Sequence, residues 1–505
     1  MRKWFKKLTI SLSALGIALG LRGTSHAEFA PDALVIRALI TRHDTSEALK
    51  LLTFSSRRSP ALALEEARLR LYTGDCDGVA AAATGIVHDD EAEHMIEVGE
   101  GCARVTAAAT LRVDEGAGLE VQFQEEIDQA TFPLIVDAVV RARQMLEREL
   151  GADWPRPTRI VVVRDQLSLS AMTGLPYQAA KTTGTAAVAK WGKVTMISPR
   201  AMSSGFEWRD TLAHELTHLA LTRLTIDRAP LWLQEGFAKR QQIRWREANP
   251  FDARLSPELT VKNGIVKKLD LPLDKLGNSL ATLPSAAQAA VAYAEVESFC
   301  GYLLRETSNV ALRAFFTELN TVKTVDEALK KATGAELGEW EKRWRAWLAT
   351  VPSPPVKAPS ATQSGKRPRR LNERERLFEL LERSGEKEAA LIALGDLGHA
   401  PFDARAATLR GRGLEAVGRV DDAWALAQPE VVTGGYGPWW ALRQRLAASR
   451  DVSVSSVAAE LAVSEDPFGF EAACQARPFV SPPEELLRPA LCAASRSLNV
   501  PPSEP

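Results

Sequence analysis

Seven histidines occur among the 505 residues, and two of them stand four apart in His214-Glu215-Leu216-Thr217-His218. In a helix, residues four apart share one face, so both imidazoles can reach one ion. Zinc favours imidazole nitrogen and accepts three protein ligands with a water in the fourth position. Glu215 stands beside the first imidazole, where its carboxylate can take a proton from such a water. Leu212, Leu216, Leu219 and Leu224 form an apolar stripe, so this helix is expected to be packed in a core. Two histidines and a glutamate on a packed helix cost stability without polar partners, and a metal is one such partner. A third donor is needed. Seventeen positions after His218 comes Glu235, an acid inside the otherwise apolar Leu231-Trp232-Leu233-Gln234-Glu235-Gly236-Phe237-Ala238. Asp210, one turn before His214, is either an acceptor for the other imidazole N–H or the N-cap of the helix.

Local pattern predicts the elements that must position these residues. Phe132 to Leu150 reads as a helix ended by Gly151. The β-branched run Arg159-Ile-Val-Val-Val-Arg164 reads as a buried strand. Gly184–Lys190 and Lys193–Ser198 read as two strands joined at Trp191-Gly192. Helices are expected over Asp210–Leu224 and Pro230–Trp245, and further on over about 286–306, 309–320, 325–333 and 336–348. Thr324 and Glu327 have capping-box spacing at the start of one of them.

His-Glu-x-x-His, with Glu235 after 16 intervening residues in Trp-Leu-Gln-Glu-Gly-Phe-Ala, resembles the gluzincin metallopeptidases. It is most similar to the bacterial peptidase MA-like domains, whose catalytic core is aminopeptidase-like. The resemblance spans about residues 120–350. It implies an α+β, mainly α architecture: a thermolysin-like catalytic domain with a small β-sheet, here flanked by helical regions. It implies His214, His218 and Glu235 as zinc ligands and Glu215 as the general base of peptide hydrolysis. It also implies a catalytic tyrosine, matched here by Tyr293, 58 positions after Glu235, as a donor to the developing oxyanion. Tyr302 fits a core aromatic better. The Gly-x-Met-Glu-Asn motif of aminopeptidase members is missing before His214, and the corresponding stretch 184–190 holds no acid. An aminopeptidase is therefore disfavoured. Gly184, Thr185 and Ala186 are expected to begin an edge strand that pairs with an extended peptide.

Residues 1–27 combine a basic start, a fourteen-residue apolar run and small residues at 25 and 27. That is the pattern of a secretory signal peptide, too short to span a membrane. The expected destination is a bacterial periplasm or the exterior, with no membrane span after cleavage. Export permits disulfides: Cys76 with Cys102 and Cys474 with Cys492 are plausible pairs, leaving Cys300 as a buried thiol. A formal net charge of −1 offers no basic excess for a nucleic-acid partner. The expected organisation is a helical region at 28–117, the catalytic domain at 118–350, a Pro-rich linker at 351–370, a second helical region at 371–495 and a tail at 496–505. Gly385 and Gly418 are 33 positions apart in similar contexts, close to the tetratricopeptide period. An irregular bundle fits equally well. Such flanks usually bind proteins, here a substrate or an envelope partner. The competing reading is a catalytically degenerate, peptidase-like binding module on a helical scaffold.

Overall fold

The computed structural model describes residues 31–467, apart from 56–58, 87, 152–155, 203–204, 253–255, 278, 281–282, 323, 353–368, 396–402 and 433. The expected signal segment, most of the linker, and the Cys474–Cys492 pairing lie outside these residues. Among them, no helix is long and apolar enough to cross a membrane.

Five helices come first: α1 (Pro31–Thr41), α2 (Thr45–Phe54), α3 (Pro60–Thr73), α4 (Gly78–Ala82) and α5 (Asp90–Thr106). Ser59 and Asp89 cap the starts of α3 and α5 through the N–H groups of Leu62 and of Glu91 and Ala92. A disulfide joins Cys76 to Cys102 on α5.

There follow β1 (Thr110–Asp114), β2 (Leu119–Phe123), α6 (Phe132–Leu150), β3 (Thr158–Val163), α7 (Gln166–Thr173), α8 (Tyr177–Thr183), β4 (Ala187–Lys190) and β5 (Lys193–Ile197). The strands lie in the order β1-β2-β3-β5-β4. The central pairs β2–β3 and β3–β5 are parallel, and both edge pairs are antiparallel. In β2, Leu119, Val121 and Phe123 are buried and alternate with half-buried Glu120 and Gln122. β3 is buried along nearly its whole length, as a central strand covered on both faces must be. One face meets α6 through Leu134, Ile135, Ala138 and Val139. The other meets α5 and α7 through Cys102, Val105, Leu169 and Met172.

The β4–β5 turn places both Trp191 (φ 55) and Gly192 (φ 68) in the left-handed region. That is the two-residue hairpin geometry that suits right-twisted strands. A side chain at Gly192 would collide with His43 and Tyr72. Trp191 is buried in the small core formed by α3, α4 and α5, so tertiary packing holds a conformation that a bulky residue rarely adopts. The hairpin tip is thereby gripped by the N-terminal helices, and the Lys193 ammonium donates to the Leu71 carbonyl at 3.0 Å.

Seven helices complete the region expected to be catalytic: α9 (Trp208–Thr225), α10 (Leu231–Gln241), α11 (Pro257–Val266), α12 (Ala286–Glu306), α13 (Asn309–Leu319), α14 (Val325–Thr333) and α15 (Leu337–Thr350). Most match the expected spans. α10 ends four residues early, and α11 has no counterpart in the sequence reading. The fold is α+β and mainly α, as expected.

The C-terminal helices are α16 (Arg369–Arg383), α17 (Lys387–Leu394), α18 (Ala404–Ala416), α19 (Val420–Leu426), α20 (Gly437–Ala447) and α21 (Val452–Glu465). They associate as consecutive hairpins, with Gly385 and Gly418 in the first two turns. Trp439, Trp440, Ala462 and Val463 share one apolar core with α6, α9 and the sheet. The last residue of α21, Glu465, accepts from Trp440 Nε1 at 2.9 Å, and its carbonyl accepts from Phe206 N–H just before α9 at 3.0 Å. Burial pushes the Glu465 carboxyl up to about 8; the Glu207 and Asp210 carboxylates add to this, and the Trp440 bond and Arg246 oppose it. A carboxyl raised in the folded state lends stability at low pH and loses it as pH rises through the folded value. Between pH 5 and 8 this residue should cost up to about 1.4 kcal/mol of unfolding free energy per pH unit. Denaturant titrations at both pH values should show a smaller difference for E465Q than for the wild type.

Candidate active site

Helix α9 buries Trp208, Leu212, Leu216 and Leu219 against α6 and the sheet. That fixes its rotation and turns His214 and His218, one turn apart, to the side where α10 crosses. Helix α10 starts directly after Pro230 and is pinned by Trp232, which packs edge-on against Phe299 at 5.2 Å between ring centroids and is stacked near Phe315. Gly236 sets how closely α10 approaches α12. A β-carbon there would fall 2.4 Å from the Val296 carbonyl oxygen and 2.5 Å from Cys300 Sγ. We expect Gly236→Ala to destabilise the fold by about 1–3 kcal/mol through overpacking, measured by chemical denaturation. Cys300 is a free, buried thiol, and burial pushes its pKa up, which makes it inert.

The crossing brings three donor atoms together. His214 Nε2 and His218 Nε2 are 3.1 Å apart. Glu235 Oε2 lies 3.5 Å from the first and 3.7 Å from the second. Ligands held about 2.0–2.1 Å from a tetrahedral ion stand roughly 3.3 Å from one another, so the triangle has the size zinc requires. Glu235 Oε2 is buried without a hydrogen-bond partner, a costly state for a carboxylate oxygen. Two imidazole nitrogens and an unsatisfied carboxylate oxygen, converging on one point, fit a divalent cation.

The charges agree. Burial alone lowers the His218 pKa, but Glu235 and Glu215 outweigh it and carry the pKa above the ordinary histidine value. Glu235 is itself held below its ordinary range, because His218 and His214 overcome the cost of burial. A field that favours a proton at this point also favours a metal cation. Gln234 was not singled out from the sequence, yet its Oε1 lies 3.1 Å from His218 Nδ1. Accepting the Nδ1 proton leaves the Nε2 lone pair facing the other donors. Its signal was its place beside Glu235 at the start of a short helix.

Glu215 is 8 % exposed, and its Oε2 accepts from the Ala189 N–H of β4 at 2.7 Å. A main-chain contact of this kind leaves no trace in residue types. Tyr293 on α12 joins the same site. Burial, together with the Glu235 and Glu215 carboxylates, raises its pKa well above the ordinary value, so its hydroxyl stays protonated and can donate. Tyr302 is buried against the rings of Trp340 and Trp347, the core aromatic expected.

Two expectations need correction. Asp210 neither touches His214 nor caps α9. Its carboxylate accepts from Arg246 at 2.6 and 2.8 Å and from Trp245 Nε1 at 2.9 Å. It ties the segment after α10 to the first turn of α9, whose N-cap position is Glu207 without a side-chain cap. Gly184 and Thr185 do not form the edge strand, and Ala186 only leads into it, its carbonyl accepting from the Ile197 N–H at 2.8 Å. Gly184 caps α8 with φ 69, and β4 begins at Ala187. Because the Ala189 N–H leaves the sheet toward α9 and is taken by Glu215, the outer edge of β4 is presented by Ala187 and Ala189, with only the Ala187 groups left for a further strand.

Residues 137–350 match the family model of the peptidase MA superfamily. This segment is a gluzincin-type peptidase MA-like domain. The comparison with curated proteins returns no match. Within the peptidase MA-like domain lie all three donors, Glu215 and Tyr293. β1 and β2 precede its first matched residue and extend its sheet.

Proposed function

We propose that the protein is an exported, zinc-dependent metallopeptidase that hydrolyses peptide bonds within peptides or proteins. The observation that carries this reading is the convergence of His214, His218 and Glu235 within 4.8 Å, with the Glu215 carboxylate on the same helix. These three side chains would hold the zinc ion. Bound there, zinc supplies Lewis-acid polarisation of the scissile carbonyl and brings the pKa of water at the site to about 7.

The chain's own groups do the rest. Glu215, oriented by the Ala189 N–H, takes the proton of the attacking water and delivers it to the departing amine nitrogen. Tyr293 donates to the carbonyl oxygen as negative charge develops on it. The free main-chain edge at Ala187 can pair with an extended substrate. β4 has no acidic residue to grip a free amino terminus, which supports cleavage other than by an aminopeptidase. The helices on both sides of the domain are the surfaces for recruiting a protein substrate or an envelope partner.

The test is cleavage of a peptide library in which half the members carry acetylated amino termini. Chelator-sensitive cleavage of both halves is expected. Cleavage of free amino termini alone would make it an aminopeptidase, and no cleavage by zinc-loaded protein would favour the binding-module reading. Tyr293→Phe should lower kcat about 10²–10³-fold, as loss of one oxyanion donor does, with little change in KM.

A further inference from the structure

Five residues beyond Glu235 on α10, Arg240 lines a pocket of about 400 Å³. Its lining residues include four arginines, Arg148, Arg240, Arg244 and Arg305, and one acid, Glu149. None of the donors proposed for zinc, nor Glu215 or Tyr293, lines it.

Glu149 is already engaged. Arg244 donates to both of its oxygens at 2.6 and 3.1 Å, and Gln241 donates at 3.1 Å. Arg305 pairs with Glu306 at 2.8 Å and lies over the Trp347 ring. Neither Arg148 nor Arg240 forms a close ion pair among the described residues; Arg240 feels the Glu149 and Glu297 carboxylates only through space, and its Nε is buried with no hydrogen-bond acceptor. Burial and the neighbouring Arg244 push the Arg240 pKa down, and the Glu149 and Glu297 carboxylates offset this only in part. The pocket is also open where it needs room: a β-carbon on Gly301 would meet nothing within 4 Å. Asn309, the first residue of α13, stands at the wall, so the positive end of that helix adds to the potential.

We propose that this pocket binds a phosphate-bearing anion. A carboxylate has two oxygens and saturates one guanidinium fork, as Glu149 does with Arg244. A phosphoryl group brings three acceptor oxygens and up to two charges, enough for the two unpaired forks of Arg148 and Arg240. The volume accommodates a diphosphate or a phosphate ester.

The test is calorimetric titration of the full chain with inorganic diphosphate at low ionic strength, with citrate as the carboxylate comparison. Saturable binding tighter than about 1 mM is expected. R240Q should weaken it about 10–100-fold, the range for losing one charge-assisted contact. Arg240 makes no close ion pair and its buried Nε no hydrogen bond, so the variant should keep a melting temperature near that of the wild type. If it does not, the exposed Arg148 takes over as R148Q, with the same expected loss. Absence of saturable binding, equal affinity in these variants, or tighter binding of citrate than of diphosphate would overturn the proposal.

Discussion

Replacing Glu215 with glutamine should lower kcat by about 10²–10⁴-fold, the range of a lost general base, while zinc binding is retained. The geometry makes this a clean substitution. Glutamine keeps the shape of glutamate, and its carbonyl oxygen can still accept from the Ala189 N–H that holds Oε2 at 2.7 Å. Glu215 is not one of the converging donors, so the triangle of His214, His218 and Glu235 stays intact. Only the capacity to take up a proton is lost. Single-turnover hydrolysis of a peptide cleaved by the wild type, with zinc content determined on the same sample, separates the two effects. Full activity in E215Q would remove Glu215 from the mechanism.

The second large effect concerns the donors. Glu235→Ala should abolish stoichiometric zinc binding and reduce hydrolysis to background. It should also abolish the stabilisation that zinc confers. A ligand that binds only the folded state at 100 times its dissociation constant adds about 2.7 kcal/mol. Thermal melts with and without zinc should therefore differ for the wild type and coincide for the variant. A zinc-dependent shift that persists in Glu235→Ala would place the ion elsewhere. Glu235 reaches both imidazoles, at 3.5 and 3.7 Å, and its Oε2 has no hydrogen bond to lose. The variant should fold, because both imidazoles can stay neutral once the buried carboxylate that favours their charged form is gone.

The readable parts of the molecule are those governed by local pattern. Helix α6 and the span of α12 follow from hydrophobic periodicity, and Thr324 accepts from Glu327 N–H as its spacing implies. The quartet His214, Glu215, His218 and Glu235 was legible because two short motifs carry it. What stayed hidden is long-range. Asp210 was assigned to its own helix, since nothing local announces a partner 36 positions away at Arg246. Strand β1 alternates over only five residues, Thr110 to Asp114, and its Leu111 and Val113 are both 52 % exposed on an edge, so it belongs to no core that would have singled it out. The seating of Trp439, Trp440 and Val463 in the same core as α9 could not be read across a proline-rich segment. The edge that meets Glu215 was placed a few residues early because the glycine at 184 ends a helix rather than opening a strand.

Elemental analysis of the purified chain after dialysis decides whether His214, His218 and Glu235 form one zinc site. Close to one zinc ion per chain is expected. A value near zero that added zinc does not restore would contradict it.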